Sequence, residues 1–126
     1  RREWILSLLP LMITVPLTLA FVTLAGITFS PSLIGIVAII IGIGIDDAVH
    51  LIQRLQDEPG RPLASILGEI APVLTLTTVS TVLCFMTLVV SSSPITSDIG
   101  IIVGFGIMAC WLCTVLFLPA FLEKYR

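Results

Sequence analysis

The chain has 126 residues, 57% of them hydrophobic and 11% charged, with a formal net charge of −2 and a mean hydropathy of +1.18. A soluble domain carries about 25% charged residues, and at this length it could not hide so much apolar surface. Six basic residues against eight acidic ones leave no basic footprint for nucleic acid, and the hydrophobicity excludes disorder. What remains is an integral membrane protein.

A bilayer core about 30 Å thick takes about 20 apolar residues per helix, so four spans with short connections fill the chain. The first is expected over about 4–29, from Trp4 to Phe29, with Pro10 and Pro16 inside it. Prolines are tolerated in a span where neighbouring helices satisfy the freed carbonyls. Ser30-Pro31-Ser32 then turns the chain into a second span, about 33–53, which holds Asp46, Asp47 and His50. The polar run from Gln53 to Pro62 breaks the pattern, with Pro59-Gly60 as the turn signal. Leu63, Ile66, Leu67 and Ile70 recur at i, i+3, i+4 and i+7. That spacing predicts a short amphipathic helix over about 62–71, lying at the interface until Pro72 redirects the chain. The third span is expected over about 72–90, closed by Ser91-Ser92-Ser93-Pro94, and the fourth over about 95–121. The fold class is therefore all-α, a membrane helical bundle of four transmembrane helices plus a short interfacial helix.

Four spans put Arg1, Arg2, Arg54, Arg61, Lys124 and Arg126 on one side, while the two opposite turns hold no Lys or Arg. The positive-inside rule makes that side, and with it both termini, cytoplasmic. The chain opens on Arg1-Arg2-Glu3 without an initiator Met, so it is expected to be a segment of a longer polypeptide. Cys84, Cys110 and Cys113 all fall inside apolar runs and read as small hydrophobes.

The sharpest chemical feature is Gly42-Ile43-Gly44-Ile45-Asp46-Asp47-Ala48-Val49-His50. Each carboxylate at a span's centre costs roughly 2.5–3.5 kcal/mol even on insertion scales. Arg54 lies eight residues beyond Asp46, about 12 Å along a helix axis, which puts the pair inside the hydrocarbon. His50 is i+4 from Asp46 and i+3 from Asp47, so all three can share one side of the helix. A solvated, early helix end is the bland alternative, but Ala48, Val49, Leu51 and Ile52 continue the apolar run. The pair reads as a proton or ion site, the default for intramembrane ionisable groups, with His50 either a relay or an interfacial anchor. Gly42 and Gly44 serve close helix packing or a loosened backbone beside the carboxylates, and Gly100, Gly104 and Gly106 serve packing. Thr77, Thr78 and Thr81 can form one hydroxyl stripe. Such hydroxyls either bond to their own i−4 carbonyls or face the carboxylates and guide water. Glu69 and Asp98 read as interfacial, on opposite sides of the membrane.

Intramembrane aspartyl proteolysis is excluded. Gly42-x-Gly44-x-Asp46 is one residue longer than the Gly-x-Gly-Asp signature, and the chemistry needs a second Asp at the same depth. Asp98 lies near the opposite membrane face. No catalytic residue, metal ligand set or cofactor motif is read from the sequence.

The Gly42 to Leu51 block resembles the fourth transmembrane helix of the RND (resistance-nodulation-division) superfamily, in its MMPL-like, hydrophobe-exporter branch, related to Patched-type and sterol-sensing domains. Thr77-Thr78 with Phe85, Leu88, Ser91 and Pro94, then Gly100, Gly104 and Leu118-Pro119-Ala120, extend the resemblance over essentially the whole chain. It implies helices three to six of one six-helix repeat, with Asp46 and Asp47 as a proton relay that couples a proton gradient to export. Many such proteins have Asp-Tyr in place of Asp46-Asp47, which gives the first position more weight than the second. The membrane Lys of some relatives has no counterpart within these spans. The resemblance thus implies part of a proton-motive-force-driven exporter of lipids or other hydrophobic molecules in a bacterial inner membrane. Expected partners are membrane lipids, a hydrophobic substrate, the parent chain's other repeat and extracytoplasmic domain, and further copies in an oligomer, but no nucleic acid. The alternatives are a sterol- or lipid-sensing module without transport and a subunit that assists protein translocation.

Overall fold

A computed structural model describes the backbone of residues 8–27 and 31–125. Among these residues the chain forms α1 (Leu9–Leu24), α2 (Ser32–Asp57), α3 (Leu63–Met86), a 3-10 turn over Thr87–Val90 and α4 (Pro94–Tyr125), with no strand. The helices from α2 onward are each long and apolar enough to cross a membrane, and α1 is a shorter apolar helix. Helix α1 ends at Leu24, short of the expected end at Phe29, because the chain turns at Ala25-Gly26. Residues 4–7, 28 and 29 of that expected span lie outside the described residues, as do Arg1, Arg2 and Arg126.

Local chemistry sets the ends of these elements. Pro10 sits in the first turn of α1, where its missing N–H has no helical partner to lose. At the other end Gly26 adopts φ +69°, and the Ile27 N–H reaches back to the Val22 carbonyl at 3.2 Å. This is the left-handed reversal that glycine accommodates without a side-chain penalty. The turn between α2 and α3 uses Gly60 at φ +102°. The Ser97 hydroxyl donates to the Val89 carbonyl at 3.2 Å, tying the start of α4 to the 3-10 turn.

The structure corrects one expected boundary. Residues 63–71 are not a separate interfacial helix but the first turns of α3, which runs unbroken through Pro72. The apolar positions faced protein all along: Ile66 is fully buried, and Leu67 and Ile70 pack against Ala48, Leu51 and Ile52 of α2. A proline removes one N–H from the ladder, and packed neighbours hold the helix through the gap.

Helix α4 is the spine. It packs against each of the other three, while α2 and α3 meet one another sparingly. Burial follows: 56% of the apolar window of α4 is buried, against 11% in α3. The principal core lies toward the Ser91–Ser93 end (the serine end), where Val22, Ile36, Ile40, Ile102, Val103 and Ile107 converge. Phe21 and Phe105 stack there with ring centroids 4.0 Å apart. Glycines bring the backbones together. A Cβ on Gly100 would stand 2.7 Å from the Phe85 carbonyl oxygen, and one on Gly106 would collide with Ile40. At the opposite end, where Arg54 and Arg61 lie (the arginine end), a short turn over 58–62 joins α2 to α3. There Leu67 and Ile70 pack on Leu51 and Ile52, and a cleft opens along one side of the pair.

Candidate functional site

The gap between α2 and α3 at the arginine end is a half-open cleft of about 620 Å³. Helix α2 lines it with Asp46, Asp47, His50, Gln53, Arg54 and Asp57, and α3 lines it chiefly with apolar side chains and Thr77, Thr78 and Thr81. The cleft thus brings together both carboxylates, the histidine and the hydroxyl stripe singled out in the sequence.

Adjacent residues on a helix point about 100° apart, and this separates the two aspartates. Asp46 is exposed toward the cleft. Asp47 turns inward, 8% exposed, and takes a hydrogen bond from the Thr78 hydroxyl at 3.4 Å. Thr78 is itself buried at 4%. Asp47 is 15 residues into α2 and 10 from its end, or about 22 and 15 Å along the axis, which is mid-helix. A hydroxyl can donate to a carboxylate or, rotated, accept from a carboxylic acid, so Thr78 can serve Asp47 in both protonation states. Resemblance gives the first aspartate more weight; burial and hydrogen bonding single out the second.

The other hydroxyls divide differently. Thr77 donates to the Leu74 carbonyl at 2.9 Å and Thr81 to the Thr77 carbonyl at 2.9 Å, each within its own helix. They face the cleft without reaching a carboxylate through these bonds. The glycines also part company. Gly42 is exposed, and a Cβ there would meet nothing, whereas one on Gly44 would stand 2.5 Å from the Cys110 sulfur. Helix α2 continues through both without a break, so Gly44 is a packing contact that sets α2 close to α4 one turn from Asp47. Cys110 and Cys113 are buried thiols and Cys84 is exposed, none of them in a disulfide. Asp98 stands in the first turns of α4, at the opposite end of the bundle from the cleft. Among the described residues no cluster of His, Cys, Asp and Glu could hold a metal ion.

One feature of the site escaped the sequence reading. Arg54 pairs with Glu58 at 3.0 Å and with Glu69 at 3.5 Å, and Arg61 pairs with the same two carboxylates. The four residues form a closed ring that pins the start of α3 to the end of α2 at the mouth of the cleft. The Glu69 and Glu58 carboxylates raise the Arg61 guanidinium above its already high ordinary value, so its charge is fixed. Only the i,i+4 relation of Arg54 to Glu58 was visible as a helix-surface pair; the rest depends on the α2–α3 turn.

Comparison with known proteins agrees with this architecture. A membrane protein of Methanocaldococcus jannaschii is 31% identical over 122 residues, which is 92% of this chain and 31% of the relative. The chain therefore spans about a third of the length of that relative. No solved structure matches it. The sequence profile of the MMPL family matches residues 5–124, nearly the whole chain, and this multi-pass membrane chain belongs to the MMPL family.

Proposed function

We propose that this chain is part of a proton-coupled exporter of lipids or other hydrophobic molecules, with Asp46 and Asp47 as its proton relay and the arginine end facing the cytoplasm of a bacterial inner membrane. The observation that carries the reading is Asp47: a mid-helix carboxyl, withdrawn from the surface, held by Thr78 and placed at the wall of an open cleft. A structural role explains such a group poorly. A buried carboxyl costs stability that an apolar residue would not, and the 3.4 Å bond from a single hydroxyl offsets only part of that cost. A group that must alternately hold and release a proton needs this environment: shielded, reachable by water and partnered in both states. The proton gradient supplies the energy, and no cofactor is required by the scheme. Membrane lipids, the hydrophobic cargo and the remainder of the parent chain are the partners it implies.

The test is substrate efflux from proteoliposomes holding the full-length parent, under an imposed pH gradient and with protein amounts matched. Asn is nearly isosteric with Asp and cheaper to bury than a charge. Asp47→Asn should therefore insert normally and abolish gradient-driven export. Asp46→Asn should impair it severely, and Thr78→Val should slow it more than Thr77→Val. Undiminished efflux by the Asp46→Asn, Asp47→Asn double variant would end the relay reading and favour a lipid-sensing module that binds without transport.

A further inference from the structure

Asp46, His50, Gln53 and Asp57 follow one another at steps of four, three and four residues, which is one stripe along a helix face. All four are exposed, and all four line the cleft. The stripe runs over 11 residue steps of α2, about 16 Å from the middle of the helix to its end. Its neighbours Ala48, Leu51 and Ile52, on the opposite face, are fully buried.

Helix energetics do not explain this arrangement. The carboxyl end of a helix carries partial negative charge and favours cations, yet Asp57 is the last residue of α2. Solvation of a helix end accounts for one turn of polar residues but not for a polar file of three. The facing wall of α3 offers hydroxyls and apolar side chains, with no charged group in the cleft. Among the described residues, the other charged or titratable groups that line the cleft are thus Asp47 and Arg54, both from α2 itself, and the Arg54 guanidinium is engaged by Glu58 and Glu69.

We propose that this stripe is the proton path between Asp47 and the aqueous phase at the arginine end, with Asp57 as the collecting group at the mouth and His50 as the intermediate carrier. Successive members stand about 5–6 Å apart between Cβ atoms, as i,i+3 and i,i+4 pairs do. One water bridges such a gap, and the cleft has many times the volume that one water needs. Asp47 exchanges its proton with Asp46 and bridging water. His50 accepts a proton on one ring nitrogen and releases one from the other, and Asp57 exchanges with bulk water. Each transfer breaks one O–H or N–H bond and forms another, and no other bond changes. Gln53 does not titrate; its amide orders the water between His50 and Asp57. The ion-pair ring holds the Arg54 guanidinium against Glu58 and Glu69, away from the file.

The inference rests on the relay reading above, and its test separates the two. In proteoliposomes of the full-length parent, Asp57→Asn and His50→Gln are assayed in weakly buffered medium and again with imidazole as a diffusible proton carrier. A positioned proton-transfer group contributes typically 10²–10⁴-fold, and water in an open cleft replaces part of that, so each variant should slow export about tenfold. Imidazole should restore most of the rate to both but none to Asp47→Asn, an outcome that a folding defect would not give. Wild-type rates for both variants in weak buffer, with Asp47→Asn inactive, would overturn the stripe and leave the relay standing. Loss without rescue by imidazole would overturn it too, by marking the residues as structural. Full export by Asp47→Asn would remove the relay, and the stripe with it.

Discussion

The two halves of this bundle are built from the same helices and solve opposite problems. Toward the serine end, glycines let backbones touch, and Ile40, Ile102, Val103 and Ile107 close the space between α1, α2 and α4. Toward the arginine end, an open cleft runs along one side of α2 and α3, lined by carboxylates, a histidine and hydroxyls. Asp47 sits where one regime gives way to the other. Lipid solvates apolar side chains as well as a protein core does, so packing rather than hydrophobic burial holds such helices together. The seal at the serine end therefore depends on shape, and the cleft depends on withholding it.

This contrast can be broken most severely in the sealed half. Ile40 is 1% exposed, whereas Val73 on the cleft wall is 60% exposed. Ile40→Ala should destabilise the bundle by about 2–5 kcal/mol through the void it leaves, and Val73→Ala by about 0.5 kcal/mol or less. Reversible denaturation in mixed micelles measures both; equal losses would show that the two halves are packed alike. Next in size, Gly100→Val should cost about 1–3 kcal/mol, since the nearest atom its Cβ meets is the Phe85 backbone carbonyl oxygen, which cannot turn away. Gly42→Ala, in open space, should be neutral or stabilise α2 by about 0.5–1 kcal/mol. A thermal shift for Gly42→Ala as large as that for Gly100→Val would refute the distinction. The smallest effect belongs to the ion-pair ring. Glu69→Gln removes one partner from both arginines, but exposed ion pairs are screened by water and contribute little. The loss should fade as added salt screens the charges, and a salt-independent loss would mean that Glu69 acts by other means.

Much of this contrast was legible in the sequence. Apolar runs gave the positions of α2, α3 and α4, and the cost of burying charge drew attention to Asp46 and Asp47. Helical spacing brought His50 to the same side. The start of α3 was misjudged because Leu63, Ile66, Leu67 and Ile70 look the same whether their stripe meets headgroups or a neighbouring helix. Pro72 could not arbitrate, since whether a proline ends a helix depends on what packs around it. Among six hydroxyls on α3, the choice of Thr78 as Asp47's partner required the rotation of α3 about its axis, which no local pattern encodes. The ring of Arg54, Glu58, Arg61 and Glu69 required the turn geometry as well. Local chemistry is written in the sequence; relations between helices are settled only when they pack.

The central place of α4 has a consequence for how the protein is made. Synthesis runs from the amino end, so α1, α2 and α3 emerge before the helix against which all three pack. Until α4 arrives, α1 lacks its main neighbour in this bundle, and α2 and α3 hold each other through their shared turn, the ion-pair ring and the packing of Leu67 and Ile70 on Leu51 and Ile52. Gly44 and Ile40 then lack their α4 partners, Cys110 and Gly106. Within these four helices, the contacts that tie α1, α2 and α3 into one body are therefore completed only when α4 has entered the bilayer beside them.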